Sequence, residues 1–491
     1  MTILNKFYAS VISIIRGLFG FLMLITLIAA IRYPEINFSH LSNKQFLLTV
    51  VLTIISVMIL LLVIKRNDSK IRTIGIVLLS VSFILQFLAI KNSFFPVGYD
   101  VSSVFSLLSG KNIKFNEFYF SLNPNNIPVV ILYKGILELL NLHVSWVNLE
   151  YITTVLVDLG IIANLVSIKL LKENSFNVAL YFYTFFALVF SFILVPYTDS
   201  LAYAIVSLYT CFFLLSKKIR KNRYKMLTLT LFLLFVIFGY FIKPSSIVPF
   251  IAILIVQLLM ILKNRKQRIL SKKLFVYIVP VLLGIGFFLG CSSLVSNQKM
   301  LKIQPDRDKP VTSFILIGMQ GIGAYSPAED QVMQSLPTKK ARNDYCIKQI
   351  KKQLKEYGPV GYIKFLLTIK QAYNTRDGMF GWTVDGVDAI PRKAKNIFQN
   401  YNYPIGNLFS VHQILAQFLW ILIIALSLFS LNSKDIKVVL LQLAVVGGML
   451  FLLLFEGGRT RYMIQFLPPI QLLAIYSYRD FIYRTKKYIF G

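Results

Sequence analysis

Residues 46–64 read FLLTVVLTIISVMILLLVI, a run without a charged residue that the basic pair Lys65-Arg66 follows. The hydrocarbon core of a bilayer is about 30 Å thick, so a helix needs roughly 20 residues to cross it. The run is continuous and does not alternate between apolar and polar residues, which favours a helix over a strand of a membrane barrel. It therefore predicts a membrane-spanning helix.

Apolar runs of this kind recur along the whole chain, which has 491 residues, 56% of them hydrophobic, and a mean hydropathy of +0.67. This composition is typical of a polytopic membrane protein. We predict an all-α polytopic membrane protein with about 12 transmembrane helices, in a range of 11–13. The predicted spans are 8–31, 46–64, 73–90, 147–171, 178–195, 198–216, 227–242, 246–262, 274–291, 405–430, 436–455 and 462–478.

The position of the basic residues predicts the orientation. The formal charge is +31, and cations concentrate in short loops between apolar runs, with six each in 217–225 and 263–273. Such loops mark the cytoplasmic side, so both termini are predicted to be cytoplasmic in a multi-pass protein of the cell membrane. Some of the charge is expected to hold membrane lipids. The sequence shows no platform of aromatic and basic residues, so nucleic-acid binding is not expected.

One apolar run conflicts with this orientation. If residues 128–142 crossed the membrane, the basic loop 217–225 would lie outside. The run is short and contains Lys134 and Glu138, so we predict that it is re-entrant or interfacial. The alternative, in which 178–195 and 198–216 form a hairpin that does not cross twice, stays open.

Polar stretches predict four parts. Residues 1–72 hold two N-terminal transmembrane helices, and 73–291 form a transmembrane core whose first outer loop is 91–127. Residues 292–404 contain nine of the 21 acidic residues and are predicted to form an extracytoplasmic loop domain. Residues 405–491 hold the C-terminal transmembrane helices and a basic cytoplasmic tail.

Within the loop domain, the sequence predicts two helical segments. Residues 341–357 have helical character and dense lysine, and Gly358-Pro359 would break that helix. Residues 362–372 then read as an amphipathic helix at the membrane surface.

Acidic residues beside membrane spans are costly unless they have a partner or a role. Asp100 follows a span in Gly98-Tyr99-Asp100, and Asp199 lies between two spans in Tyr197-Thr198-Asp199. Each is a candidate general base or metal ligand, while helix capping is the alternative for Asp199. The further acids predicted on this outer face, apart from the loop domain, are Glu117 and Glu456.

Cations on the predicted outer face oppose the charge bias of the rest of the chain. Lys243 precedes Pro244 at a predicted helix break, and Arg459 and Arg461 lie in the last outer turn. Arginine offers a two-pronged donor for phosphate and lysine a point charge, which suits a lipid-linked phosphate at headgroup depth. The alternative is a snorkelling pair in which Glu456 neutralises one arginine.

Three other features carry little chemistry. The stretch Gly318-Met319-Gln320-Gly321-Ile322-Gly323 resembles a phosphate loop, but neither a preceding strand nor a following Lys-Ser accompanies it. The histidines and cysteines have no ligand spacing, and no disulfide framework is implied. These residues are His40, His143, His412, Cys211, Cys291 and Cys346.

The order of the motifs resembles that of the GT-C fold glycosyltransferases that use polyprenyl-phosphate sugars. The resemblance covers about residues 73–480 and is strongest to the bacterial relatives of protein mannosyltransferases and aminoarabinose transferases. This chain departs from the pattern by two extra N-terminal spans and by a single Asp in the first-loop motif. The resemblance rests on Gly98-Tyr99-Asp100, Asn123-Pro124-Asn125-Asn126, Tyr197-Thr198-Asp199, Lys243-Pro244, Arg459-Thr460-Arg461-Tyr462 and Pro468-Pro469.

The resemblance implies an inverting glycosyltransferase with an extracytoplasmic active site. Asp100 would deprotonate the acceptor hydroxyl, and Asp199 would orient the acceptor or bind a divalent cation, whose requirement stays open. The other implied site residues are Lys243, Arg459, Arg461 and Tyr462 for the donor phosphate, and Tyr99, Glu117 and Glu456 for orienting the acceptor.

The same resemblance implies the partners. The donor would be a sugar on undecaprenyl phosphate, made inside and presented outside, which leaves room for a partner protein that makes or flips it. The acceptor would be a cell-envelope glycopolymer such as a wall polysaccharide or teichoic acid. Two alternatives stay open: a transporter or flippase of lipid-linked saccharide, and a polysaccharide polymerase or ligase. A transporter would be expected to show pseudo-repeats and charged midplane residues in several spans, and the sequence is interpreted as showing neither.

Overall fold

A computed structural model describes residues 3–36, 42–65, 68–263, 275–382, 393–455 and 457–490. Within these ranges the chain forms helices and turns, and no strand occurs. Ten helices in the described part are long and apolar enough to cross a membrane. The protein is therefore an all-α polytopic membrane protein, as predicted.

Twelve helices begin before the long polar stretch, residues 292–404. They are α1 (Ile3–Arg32), α2 (Asn43–Lys65), α3 (Ser69–Ser93), α4 (Tyr99–Leu108), α5 (Ile113–Leu122), α6 (Ile127–Leu139), α7 (Trp146–Leu171), α8 (Phe176–Val189), α9 (Thr198–Lys218), α10 (Asn222–Ile242), α11 (Val248–Lys263) and α12 (Phe275–Ser296).

Further helices follow in and after that stretch. They are α13 (Val311–Ile317), α14 (Pro327–Ser335), α15 (Lys339–Phe365), α16 (Gln371–Thr375), α17 (Ile397–Asn402), α18 (Phe409–Leu428), α19 (Ile436–Leu454) and α20 (Leu467–Phe490).

Ten of the twelve predicted spans coincide with the ten membrane-length helices. The other two are composite. The span predicted at 178–195 consists of α8 and a 3-10 turn, Ser191–Leu194, and the span predicted at 462–478 begins as the 3-10 segment Thr460–Phe466 and continues as α20. The 3-10 segment of the last span contains Arg461 and Tyr462, two residues predicted to hold phosphate.

The length of α6 and the contacts of Arg461 together indicate which helix ends lie on the same side. Its 13 residues extend about 20 Å, which is too short for the hydrocarbon core. Asp100 and Asp199 both contact the side chain of Arg461, so the start of α4 and the start of α9 lie at one end of the bundle. This agrees with the prediction that residues 128–142 do not cross.

The transmembrane helices pack closely around α9, which contacts α7 and α10. At the crossing of α7 and α9, a Cβ on Gly160 would lie 2.8 Å from the Cα of Ala204. Small residues allow such close approach of helices, which is a main source of packing stability between spans. This contact fixes α9 and therefore the position of Asp199 at its first turn.

The polar stretch contains a small packed unit of α13, α14 and α15. Its core is formed by Leu316, Met333 and Cys346. As predicted, α15 is kinked at Gly358, where φ is 60°, before the helical path continues toward α16.

The segment between α12 and α13 is attached to α5 by hydrogen bonds from backbone amides to side chains. The amide of Lys302 donates to the Glu117 carboxylate at 3.2 Å, and the amide of Gln304 donates to the Ser121 hydroxyl at 3.0 Å. The polar stretch is therefore held directly beside the helices that carry the candidate site.

Candidate functional site

Asp199 and Lys243 form a buried ion pair between two helix ends. Lys243 ends α10 because Pro244 follows it, and its ammonium donates to the Asp199 carboxylate in the first turn of α9. The side chains are 10% and 1% exposed. A carboxylate at a helix N-terminus and a cation at a helix C-terminus are each favoured by the helix dipole. Local helix electrostatics therefore support this pair.

Arg461 lies between the two predicted acids. Its guanidinium is 3.8 Å from the Asp100 carboxylate and 3.9 Å from the Asp199 carboxylate, and its side chain is 6% exposed. Both distances permit ion pairing but exceed a hydrogen bond. The Asp100 side chain is 33% exposed, whereas Asp199 is enclosed. Asp100 is therefore the carboxylate of the two that is more accessible to a substrate.

Two glycines shape the turn that presents Arg461. Gly457 and Gly458 have φ values of 131° and 70°, which favour glycine. The Gly458 amide donates to the Asn374 side chain at 2.6 Å, and a Cβ on Gly458 would lie 2.4 Å from the carbonyl carbon of Gly323. The turn is therefore pressed against the polar stretch, so that stretch helps to position Arg461.

Tyr99 occupies a strained backbone position beside Asp100. Its φ is 41°, a left-handed value that costs a non-glycine residue about 1 kcal/mol. Its ring lies under the Arg461 guanidinium, with 5.6 Å between the guanidinium carbon and the ring centroid. Strain of this kind is frequent at functional sites and here accompanies the exposure of Asp100.

A chain of hydrogen bonds leads to Asp100 from Tyr197, which precedes α9. The Tyr197 hydroxyl donates to Asn126 at 2.9 Å, Asn126 donates to the Tyr119 hydroxyl at 2.7 Å, and Tyr119 donates to Asp100 at 2.5 Å. Burial and the Asp100 charge raise the pKa values of Tyr119 and Tyr197 well above the usual tyrosine value. Both hydroxyls therefore stay protonated, and every donor in the chain points toward Asp100.

The two remaining residues predicted to hold phosphate lie close by. The Tyr462 ring centroid is 4.9 Å from the Lys243 ammonium and 5.2 Å from the Arg461 guanidinium carbon. Arg459 stacks on Tyr325 of the polar stretch at 5.7 Å. Tyr462 therefore lies within the cluster, whereas Arg459 faces the polar stretch at its edge.

The structure does not bring all predicted residues together. Glu117 accepts the hydrogen bond from the Lys302 amide, a contact that anchors the polar stretch. Glu456 lies outside the described residues. The capping alternative for Asp199 is wrong, because Tyr197 is the N-cap of α9 and the Asp199 side chain contacts Lys243 instead.

A bridging divalent cation does not fit between the two acids, because the Arg461 guanidinium occupies that position. In the described ranges, no group of three or more His, Cys, Asp or Glu side chains could hold a metal ion. His412 contacts the carbonyl oxygens of Tyr401 and Val189 through its two ring nitrogens.

Sequence reasoning missed Tyr119, although Asn126 and Tyr197 lie in motifs that it selected. It also missed Glu150 and Asp158, which are 0% and 7% exposed within α7. Both carry carboxylate oxygens without a hydrogen-bond partner in the described part of the chain. An acid inside a predicted span was the available signal for these two. The side-chain contact of Tyr119 depends on the fold and had no comparable signal.

The fold and the cluster define a polytopic integral membrane protein in which two acids and two cations lie together where several helices end. The chain belongs to the family described as conserved hypothetical integral membrane protein, whose family model matches residues 7–482. A search of curated proteins finds no match to the chain.

Proposed function

We propose that the protein is a GT-C-type glycosyltransferase that moves a sugar from a polyprenyl-phosphate donor to a hydroxyl of an extracytoplasmic glycopolymer. One observation carries the proposal. A partly exposed carboxylate, Asp100, lies within 4 Å of Arg461, which in turn neighbours Lys243 through their shared partner Asp199. A base next to phosphate-binding cations is the arrangement that transfer from a sugar phosphate requires.

The proposed reaction is a single displacement at the anomeric carbon. The acceptor hydroxyl gives its proton to Asp100 while its oxygen forms the new bond to that carbon. The bond to the phosphate oxygen breaks at the same time, and polyprenyl phosphate leaves with the electron pair. Arg461 and Lys243 stabilise the charge that develops on the phosphate. The hydrogen bond from Tyr119 keeps Asp100 oriented toward the acceptor.

In this mechanism Asp199 holds the cations in place. Its side chain is 1% exposed and pairs with Lys243, so an acceptor reaches Asp100 more easily than it reaches Asp199. The enclosed carboxylate offsets the desolvation cost of two buried cations, which would otherwise be large. This role differs from the roles predicted for Asp199 from the sequence, which were a general base, a group that orients the acceptor or a metal ligand.

The test is a transfer assay with purified protein in nanodiscs. A radiolabelled polyprenyl-phosphate sugar and a mixture of cell-envelope glycopolymers are supplied, and label in the polymer is measured for wild type and Asp100→Asn. We expect a loss of roughly 100-fold or more in Asp100→Asn, because general-base catalysis contributes at least that factor. Asp344→Asn changes an exposed acid on α15 and should match wild type. Equal transfer by Asp100→Asn would remove the proposal.

Transport of a lipid-linked saccharide is a second candidate, and Glu150 and Asp158 favour it. Two acids buried within one transmembrane helix are costly and often mark a transport path. The transport hypothesis expects Glu150→Gln and Asp158→Asn to abolish movement of a fluorescent lipid-linked saccharide across vesicles. The transferase hypothesis expects neither substitution to abolish sugar transfer.

A further inference from the structure

A row of lysines covers one face of α15. Lys348, Lys351, Lys352 and Lys355 are three or four residues apart, so they share a helix face, and all four are exposed. Among the described ion pairs, the one that reaches the row joins Lys352 to Glu356 at 3.8 Å, with both side chains more than half exposed. These four residues form the lysine row.

The rotation of α15 is fixed by its opposite face. Arg342 is buried and donates to the carbonyl oxygens of Leu336 and Asp306, and Cys346 packs against Met333. These contacts leave the lysine row directed away from the protein. The row is therefore a permanent feature of the surface and not one rotational state of a loose helix.

The lysines of the row repel one another along the helix. Like charges three and four residues apart weaken a helix, and the row contains four such pairs, namely Lys348/Lys351, Lys348/Lys352, Lys351/Lys355 and Lys352/Lys355. A chain of negative groups laid along the helix would relieve all four repulsions. Residues four apart are separated by about 6 Å along the axis, so anionic groups at a similar spacing would meet successive lysines.

The helix also leads from the row to the candidate site. The Tyr357 hydroxyl donates to the Met319 carbonyl oxygen at 3.1 Å. The same loop continues to Gly323, whose backbone touches Gly458 in the turn that carries Arg461. Lys355, at the end of the lysine row, is therefore two residues from Tyr357, which contacts the loop that reaches the turn of Arg461.

The most exposed apolar residues of α15 follow its kink. Val360 is 81% exposed and Ile363 is 55% exposed, and both lie after Gly358. Before the kink, Ile347 and Leu354 beside the lysine row are 36% and 42% exposed. A segment that enters the membrane surface needs exposed apolar residues, and the part of α15 after the kink offers more of them than the lysine row does.

We propose that the lysine row binds the acceptor, and that the acceptor is a polyanionic chain with regularly spaced negative groups. This inference rests on the proposed transferase function and names its acceptor class. Electrostatic attraction by the row holds the chain on α15 while one hydroxyl of it reaches Asp100. The binding is multivalent and screened by salt.

The experiment measures binding of inorganic polyphosphate to the full chain in neutral-lipid nanodiscs, without a sugar donor. The test variant replaces all four lysines of the row with Gln, which keeps helix propensity. The matched control removes the same charge from exposed cations elsewhere on the predicted outer face, with Gln at Lys111, Lys114, Lys299 and Lys302. We expect a loss of roughly tenfold or more in affinity for the row variant, from four weak ion contacts, and a much smaller loss for the control.

Two outcomes would overturn the inference. The row variant would bind polyphosphate as wild type does, or it would lose no more affinity than the control. If the row variant bound polyphosphate normally and also lost the thermal stabilisation that added phosphatidylglycerol gives the wild type, the row would be a lipid contact. Because no donor is present, these results are independent of the Asp100→Asn assay. Transfer to a short neutral acceptor should be unchanged in the row variant.

Discussion

At the scale of single residues, the buried pair of Asp199 and Lys243 is the most exacting contact in the cluster. Two charges taken out of water are tolerated when each is the partner of the other. Removal of one leaves the second buried without its counter-ion. The buried positions of Lys243 and Arg461, the two cations of the proposed mechanism, therefore depend on the charge of Asp199.

Lys243→Met should lower the free energy of unfolding by about 3–5 kcal/mol, the usual cost of removing one partner of a buried pair. Asp199→Asn combined with Lys243→Met should cost less than the sum of the two single changes. Thermal unfolding in detergent, arranged as a double-mutant cycle, measures this coupling. Additive costs would show that the pair contributes no interaction energy.

Tyr119→Phe should lower kcat/KM by roughly 10-fold or more, because it removes a hydrogen bond to a charged group worth about 1.5–3 kcal/mol. The pKa of Tyr119 lies well above 10, so it donates throughout pH 6–9 and the ratio to wild type should stay constant there. Tyr133→Phe is a matched control that removes a buried hydroxyl bonded to Thr153, remote from Asp100 along the chain. A ratio that rises to one above neutral pH would contradict this role.

At the scale of elements, the site depends on helix breaks. Pro244 ends α10 at Lys243, Tyr99 begins α4 with a left-handed residue, and Gly457-Gly458 precede the 3-10 segment of Arg461. Each break places a polar side chain where backbone groups are already free of the helical pattern. Asn374 and Gly323 of the polar stretch contact the last of these breaks at Gly458.

Gly458→Ala should reduce transfer strongly, because the new Cβ would lie 2.4 Å from the backbone of Gly323 and the residue has a φ of 70°. Gly290→Ala is the control. That glycine lies in α12 with no atom within 4 Å of the added Cβ, and alanine favours a helix. Transfer and thermal stability of both variants are compared with wild type. Equal activity of Gly458→Ala would show that the turn does not need its present geometry.

The segment around Asp377 should lose stability as the pH rises through neutrality. Burial and the charge of Glu35 raise the pKa of Asp377 to about 7, against 3.8 for a free side chain. A carboxyl whose folded pKa is raised stabilises the fold below its unfolded pKa, and that contribution is lost as pH rises through about 7.

The measurement is the thermal stability of wild type and Asp377→Asn at pH 6 and pH 8. Asparagine carries no charge, so the fall in stability between these pH values should be smaller in the variant. A lower stability at both pH values alone would reflect the lost hydrogen bonds from Met379 and Gly381. An unchanged slope would show that Asp377 does not titrate in this range.

At the scale of the whole molecule, much of the fold was predictable because bilayer thickness dictates the length of apolar runs. Charge bias and the weakness of residues 128–142 predicted which helix ends meet, and Asp100, Asp199, Lys243 and Arg461 lie together accordingly. The composite form of the last span was not predictable, because a 3-10 segment has no apolar signature of its own. The hydrogen bond from Tyr119 was not predictable either, since it depends on how α5 meets α4.

The orientation predicts which loops a membrane-impermeant thiol reagent can label in intact cells. In a background without Cys211, Cys291 and Cys346, Lys302→Cys should be labelled from outside, because the polar stretch is predicted to be extracytoplasmic. Arg220→Cys should be labelled only after the membrane is opened. Labelling of position 220 in intact cells would reverse the orientation and place the cluster inside.

In the proposed function, the Asp100 end of the bundle transfers sugar from a lipid phosphate to an outer acceptor. Sealed proteoliposomes of known orientation test this transfer, with labelled donor in the bilayer and an impermeant polyanionic glycopolymer on one side only. We predict that label enters the polymer when the polymer lies on the Asp100 side, and that Asp100→Asn abolishes this transfer. Movement of intact donor across the bilayer without any labelled polymer would contradict the proposed function.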